Sequence, residues 1–235
     1  MNVAGIEVRV DKKKIKNLHL YVKPPYGVVS VSAPLDMSDI IIEHFVRTKI
    51  SWLKIQIAKY SEQLRQADRQ FVSGETLYIW GKQYFLQVEF SSKKSFILKG
   101  NIAKLTVLKE STIEQRDKFV REWYREQLTT EVKRLLPKWE AATGLKCDSW
   151  QTKYMTSKWG SCNIEDRKIW FNLQLSKKPF ECLEYIILHE LIHLRVKDHN
   201  IEFTTMMDKY MPLWREIKKR LNMQILDCWV DSREN

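Results

Sequence analysis

His189-Glu190-Leu191-Ile192-His193, followed six residues later by His199, is the stretch whose residue types and spacing point most directly to chemistry. Residues four apart on a helix leave the same face one turn apart, so two imidazoles at that spacing can reach one ion. Zinc accepts such nitrogens at about 2.0–2.1 Å. Glu190 follows the first histidine and leaves the flank of the helix. A carboxylate there can take a proton from a metal-bound water without being a ligand. The expected centre is zinc held by His189, His193 and His199, with Glu190 as general base.

His199 constrains the path of the chain. Six residues of continued helix would rotate it by about 600°, away from the metal-facing side. A turn is therefore expected around residues 196–200. The metzincin pattern has the same spacing, with a glycine where Val196 stands here, so this turn must be made differently or slightly later. Glu202 is the main rival for the third position, and Asp198 and Asp208 are weaker ones.

The elements that must carry these groups are legible around them. Leu183, Ile187, Leu191 and Leu194 have helical spacing, and Pro179 suits a first turn, where its missing N–H costs nothing. A buried helix carrying two histidines and a glutamate needs partners for them, and a metal supplies one. Upstream lies Lys158-Trp159-Gly160-Ser161-Cys162, then a strand expected over residues 168–172.

This order resembles the YgjP-like zinc metallopeptidases, which are grouped with the small zincins that include the WLM and SprT-like proteases. The resemblance rests on His189-Glu-Leu-Ile-His-Leu194 with His199 and Phe203, on the Trp-Gly-Ser-Cys block, and on the tail Met211 to Leu221. It is strong over the C-terminal half and looser over the β-rich leader. It implies a zincin-like catalytic part, zinc, and hydrolysis of peptide bonds. Asp198 and Asn200 flank His199 where the family usually has Asn and Ser, which bears on what supports the imidazole rather than on the imidazole itself.

The 235 residues suit one large or two small domains, and 44% hydrophobic residues suffice for a core. Net charge is +11, from 40 Lys and Arg against 29 Asp and Glu, spread without a long basic tail. It is compatible with weak association with nucleic acid or polyphosphate. No signal peptide and no membrane-spanning run is visible, so a cytoplasmic location and no membrane partner are expected. Cys147, Cys162, Cys182 and Cys228 form no C-x-x-C pair, which argues against a zinc ribbon and for reduced thiols. Cys162 as a nucleophile would leave His-Glu-x-x-His unexplained.

The expected fold class is α+β. A β-rich part with one helix covers residues 1–110, and the zincin-like part, with the His-Glu-x-x-His helix and a small antiparallel sheet, covers 111–235. Alternation predicts strands around Ile6–Val10, Leu18–Val22 and Val29–Ala33, a helix over 38–65, and further strands between Leu77 and Val107. A long helix is expected over 112–142, ended or kinked by Pro137 and stopped by Gly144. Residues 160–166 are expected to be a loop between two strands, and helices are expected over 201–210 and 213–222. No internal repeat is visible in the residues.

The expected reaction is amide hydrolysis of a peptide or protein, with a zinc-bound water activated by Glu190 and an extended substrate added to the edge of strand 168–172. Tyr154, Lys158 and Tyr210 are candidates for stabilising the oxyanion, whereas Trp159 and Trp170 are expected to pack. Two alternatives come from other classes. One is a metal-dependent nucleotide phosphohydrolase of pyrophosphatase type. The other is a nucleic-acid-associated protein in which the metal is structural.

Overall fold

The computed structural model describes residues 1–23, 27–62, 69–155 and 158–223. The chain forms two compact units, one built on Met1–Asp68 and the other on Arg69–Gln224. The fold is α+β, as expected.

The first unit contains β1 (Asn2–Val3), β2 (Ile6–Lys13), β3 (His19–Lys23) and β4 (Val28–Pro34), followed by α1 (Asp39–Thr48) and α2 (Ile50–Glu62). Its sheet runs β1-β2-β4-β3, with β2 parallel to β4 and the outer pairs antiparallel. Val3, Val8, Val29, Val31, Ala33, Ile42, Val46 and Leu53 form its core. The single helix expected over 38–65 breaks at Lys49, whose φ of −108° and ψ of 9° leave the helical region. The Pro24-Pro25-Tyr26 turn lies outside the described residues.

The second unit begins with β5 (Thr76–Ile79), β6 (Lys82–Phe90), β7 (Ser95–Lys99) and β8 (Ile102–Val107), and α3 (Ile113–Thr143) follows. This sheet runs β5-β6-β8-β7 with the same parallel and antiparallel pairings as the first. Even the opening turns agree. Ala4-Gly5 has φ of 51° and 81°, and Trp80-Gly81 has 50° and 78°, the two positive values of a type I′ hairpin. The chain therefore repeats one β-sheet path, contrary to the reading that it has no internal repeat. The residues conceal this because Val3-Ala4-Gly5-Ile6 and Ile79-Trp80-Gly81-Lys82 share only the glycine that the turn requires.

Helix α3 is capped at both ends. Thr112 and Gln115 form a reciprocal capping box, and Gly144 closes the helix in the left-handed conformation at φ 72°. Its buried stripe of Val120, Tyr124, Leu128, Val132, Leu135, Leu136 and Trp139 spans Pro137, and the helix runs through that proline rather than ending there. Packing on both sides offsets one lost hydrogen bond. The β5–β8 sheet belongs with α3: Tyr124 donates to the Tyr78 carbonyl at 2.8 Å, and Phe96 meets Trp123 edge-on at 4.7 Å. The packing boundary thus falls at Arg69, while a division at 110 concerns only where the chemistry-bearing residues begin.

A third, three-stranded sheet comprises β9 (Ser149–Lys153), β10 (Gly160–Asn163) and β11 (Lys168–Asn172), in the order β10-β11-β9. It is mixed rather than antiparallel, because β11 pairs parallel with β9 and antiparallel with β10. Residues 160–163, expected as loop, form one of its two edge strands. A 3-10 turn (Leu173–Lys177) leads to α4 (Phe180–His193), α5 (Ile201–Tyr210) and α6 (Trp214–Met223). Trp80 and Gly81 donate to the carbonyls of Ser176 and Lys177, tying the second sheet to that turn. No helix among the described residues is long and apolar enough to cross a membrane.

Candidate metal centre

Helix α4 is buried nearly all round, with Cys182, Leu183, Ile186, Ile187, Leu188, Leu191 and Ile192 in the core. A helix apolar on every side belongs inside, so its polar groups must be satisfied there. It packs against α3, α5, α6, β10 and β11.

The three histidines converge. Nε2 of His189 lies 3.2 Å from Nε2 of His193 and 3.1 Å from Nε2 of His199. Ligand nitrogens around a tetrahedral zinc at about 2.0–2.1 Å stand about 3.3–3.4 Å apart, so these residues fit such an ion. Among the described residues they are the one group of three or more His, Cys, Asp or Glu whose donor atoms meet in this way. Burial, then His193 and His199, push the His189 pKa down to about 3. The same kinds of cause lower His199. Neutral imidazole is the form that binds a metal.

The turn that returns His199 needs no glycine. The cap at Leu194 stays right-handed, at φ −63° and ψ −20°, and Val196 is buried. The Val196 carbonyl accepts from His193 Nδ1 at 2.9 Å, so the turn residue itself orients a histidine. Asn200 then caps α5, its side chain accepting from Phe203 N–H at 3.0 Å. Phe203 sits under all three imidazoles, with ring centroids 4.9, 5.0 and 4.7 Å from His189, His193 and His199. The rival carboxylates are engaged elsewhere or lie apart: Glu202 pairs with Arg195, and Asp208 holds Arg215 and Trp214. Asp198 lines the groove but is not in the convergent group.

Glu190 is only 5% exposed, and burial pushes its pKa up to about 8 while Lys158 pulls it down. A carboxyl poised near neutrality can both accept and return a proton. It shares an open groove of about 1170 Å³ with the three histidines, Lys158, Trp159, Trp170 and Tyr185. Of the three oxyanion candidates, Lys158 lines this groove and Tyr154 and Tyr210 do not. Trp159 and Trp170, expected as packing, both line it.

Strand β11 is central in its sheet, so it offers no free edge for a substrate; β10 is the edge strand beside the site. Two residues escaped the sequence reading. Tyr185 stands one turn before His189, its hydroxyl 3.5 Å from Nδ1, and stacks on Trp214. Helical spacing could have exposed it. Asn172, buried at the end of β11, donates to the carbonyls of Met155 and Lys158 and so secures the approach to β10. No local signal marks that role.

Fold and site together define a mixed α+β protein with a helix-borne tri-histidine cluster and a buried carboxyl beside it. The family described as YgjP-like, metallopeptidase domain, matches residues 16–224, and the chain belongs to that family. Among solved structures it is similar to the metallopeptidase zymogen of Pyrococcus abyssi abylysin, at 20% identity and TM-score 0.38, over 42% of this chain and 99% of that one. It is also similar to the metallopeptidase zymogen of Methanocaldococcus jannaschii jannalysin, at 24% identity and TM-score 0.37, over 40% and 97%. A search of curated proteins returns no match.

Proposed function

We propose that this chain is a zinc-dependent peptidase in which His189, His193 and His199 hold the metal and Glu190 is the general base. The observation that carries the reading is the meeting of three imidazole nitrogens beside a buried carboxyl in one groove. Zinc held by these three histidines would act as a Lewis acid and would lower the pKa of an attacking water. Glu190 takes the proton from the attacking water and delivers it to the leaving amine.

The edge of β10 holds the substrate. Asn172 N–H bonds the Trp159 carbonyl at 2.9 Å, so the amide groups of Gly160 and Cys162, out of phase with that pair, face away from β11. An extended peptide can pair with them. Free thiols at Cys147, Cys162 and Cys182 support a reducing, cytoplasmic setting.

Lys158, Lys197 and Lys218 line the groove and favour, as a second reading, attack on a polyphosphate. Zinc-loaded protein incubated with a mixed peptide library and, separately, with nucleoside triphosphates decides between them. New peptide termini in the mass spectrum support the peptidase. Phosphate or pyrophosphate release without peptide cleavage overturns it.

A further inference from the structure

Gly160, in the Trp-Gly-Ser-Cys block, has no backbone reason to be glycine. The other six glycines all have positive φ, and Gly160 does not. It lies inside strand β10, paired with Phe171, where glycine weakens a strand and often marks a close approach by another group. The approaching group here is Glu190. A Cβ on Gly160 would stand 2.5 Å from Glu190 Oε1, 2.8 Å from its Cγ and 2.9 Å from its Cδ, and these are its three nearest neighbours. The clash involves Cγ of the glutamate as well as the carboxylate, so a small swing of the carboxylate alone does not relieve it. Both residues are buried.

We propose that Gly160 is a positioning residue: its bare Cα is the seat on which the Glu190 side chain lies, fixing the carboxyl in the groove beside the three histidines. The proposal deepens the reading of Glu190 as general base. The strand gives up a side chain so that helix α4 can bring this glutamate flat against β10. Any side chain at 160 would push the carboxyl from its place, since the three atoms nearest an added Cβ all belong to Glu190 and none to His189, His193 or His199.

A double-mutant cycle tests the seat without needing a substrate. Full-length Gly160→Ala, Glu190→Ala and the double variant are compared by thermal unfolding. Alanine at 160 should lower Tm by about 5 °C or more where Glu190 is present, the response to an overpacked core in a chain of this size. In the Glu190→Ala background the same change should cost nothing or raise Tm. Equal loss in both backgrounds overturns the proposal. Should Gly160→Ala alone fail to fold while the double variant folds, the seat is supported; failure of both overturns it.

Kinetics supply a second readout. Zinc-loaded Gly160→Ala should keep one metal per chain, with kcat on a casein-derived peptide reduced at least about tenfold toward that of Glu190→Gln. Wild-type kcat in Gly160→Ala overturns the positioning role. Should the wild-type protein cleave no peptide, the peptidase reading falls by itself and the stability cycle still decides whether Gly160 seats Glu190.

Discussion

His193 donates from Nδ1 to the carbonyl of Val196 at 2.9 Å, and this one bond fixes which nitrogen faces the metal site. With the proton on Nδ1, Nε2 presents a bare lone pair to His189 and the metal position. The three Nε2 atoms lie close enough together to share one cation. His189→Ala should therefore lose bound zinc from the purified protein, as elemental analysis would register. Stoichiometric zinc in that variant would remove the metal centre as drawn.

His199 and Glu202 make separable predictions. Glu202 is held by Arg195, whereas His199 meets His189 at 3.1 Å. His199→Ala should weaken zinc binding by more than the roughly 10–100-fold lost when only a group supporting a ligand is removed. Glu202→Ala should leave it unchanged. Competition titration with a chromogenic chelator measures both, and the reverse result would reassign the third ligand.

Glu190→Gln keeps the shape of the side chain and removes its proton-accepting role. Zinc content should stay at one per chain, while kcat should fall by about 10²–10⁴-fold. Turnover at the wild-type rate would move the base to another residue or make the metal structural.

The histidine helix and the meeting of its three histidines were legible because the signals are local: i, i+4 spacing, one more histidine, and an apolar stripe to bury the helix. The α3 helix was legible from its apolar stripe and from Gly144, whereas its Thr112–Gln115 capping box was not read from the sequence. What escaped depends on distant residues. Gly160 to Asn163 became an edge strand through pairing with β11, although Gly160 and Asn163 themselves read as loop. Pro137 did not end α3 because packing on both sides outweighs its missing donor. The repeated sheet path was hidden because hydrogen-bond topology constrains side chains weakly except at the turn glycines.

Cys162 lies in the same groove as Glu190 and the three histidines, and its thiol is expected to be a poor nucleophile. Burial, and then the nearby Glu190 charge, push its pKa up to about 12. A raised thiol pKa leaves almost no thiolate at pH 8, since each unit above the ambient pH cuts that fraction about tenfold. Iodoacetamide labelling at Cys162 should therefore be slow at pH 8 and climb steadily through pH 10 without a plateau. Cys162→Ala should also retain peptidase turnover. Rapid alkylation at neutral pH, or loss of turnover in Cys162→Ala with zinc retained, would restore the cysteine as a candidate nucleophile.

Deleting the first unit tests whether the metal chemistry is self-contained. His189, His193, His199 and Glu190 all fall within Arg69–Gln224, and the residues beginning at 111 already include them all. The β5–β8 sheet nevertheless packs on α3 through Tyr124 and Trp123, and its Trp80-Gly81 turn bonds to the residues that introduce α4. A fragment starting at Arg69 should fold, melt cooperatively and bind zinc within a fewfold of the full chain. One starting at Ser111 keeps every ligand but uncovers the face of α3 that meets Tyr78 and Phe96, and strips the support from the 3-10 turn. It should be less soluble, binding zinc only to the extent that it folds. Zinc affinity by competition, with circular dichroism for folding, separates the two fragments. A folded Arg69 fragment that cannot hold zinc would show that the first unit supplies part of the centre, and the division drawn here would fail.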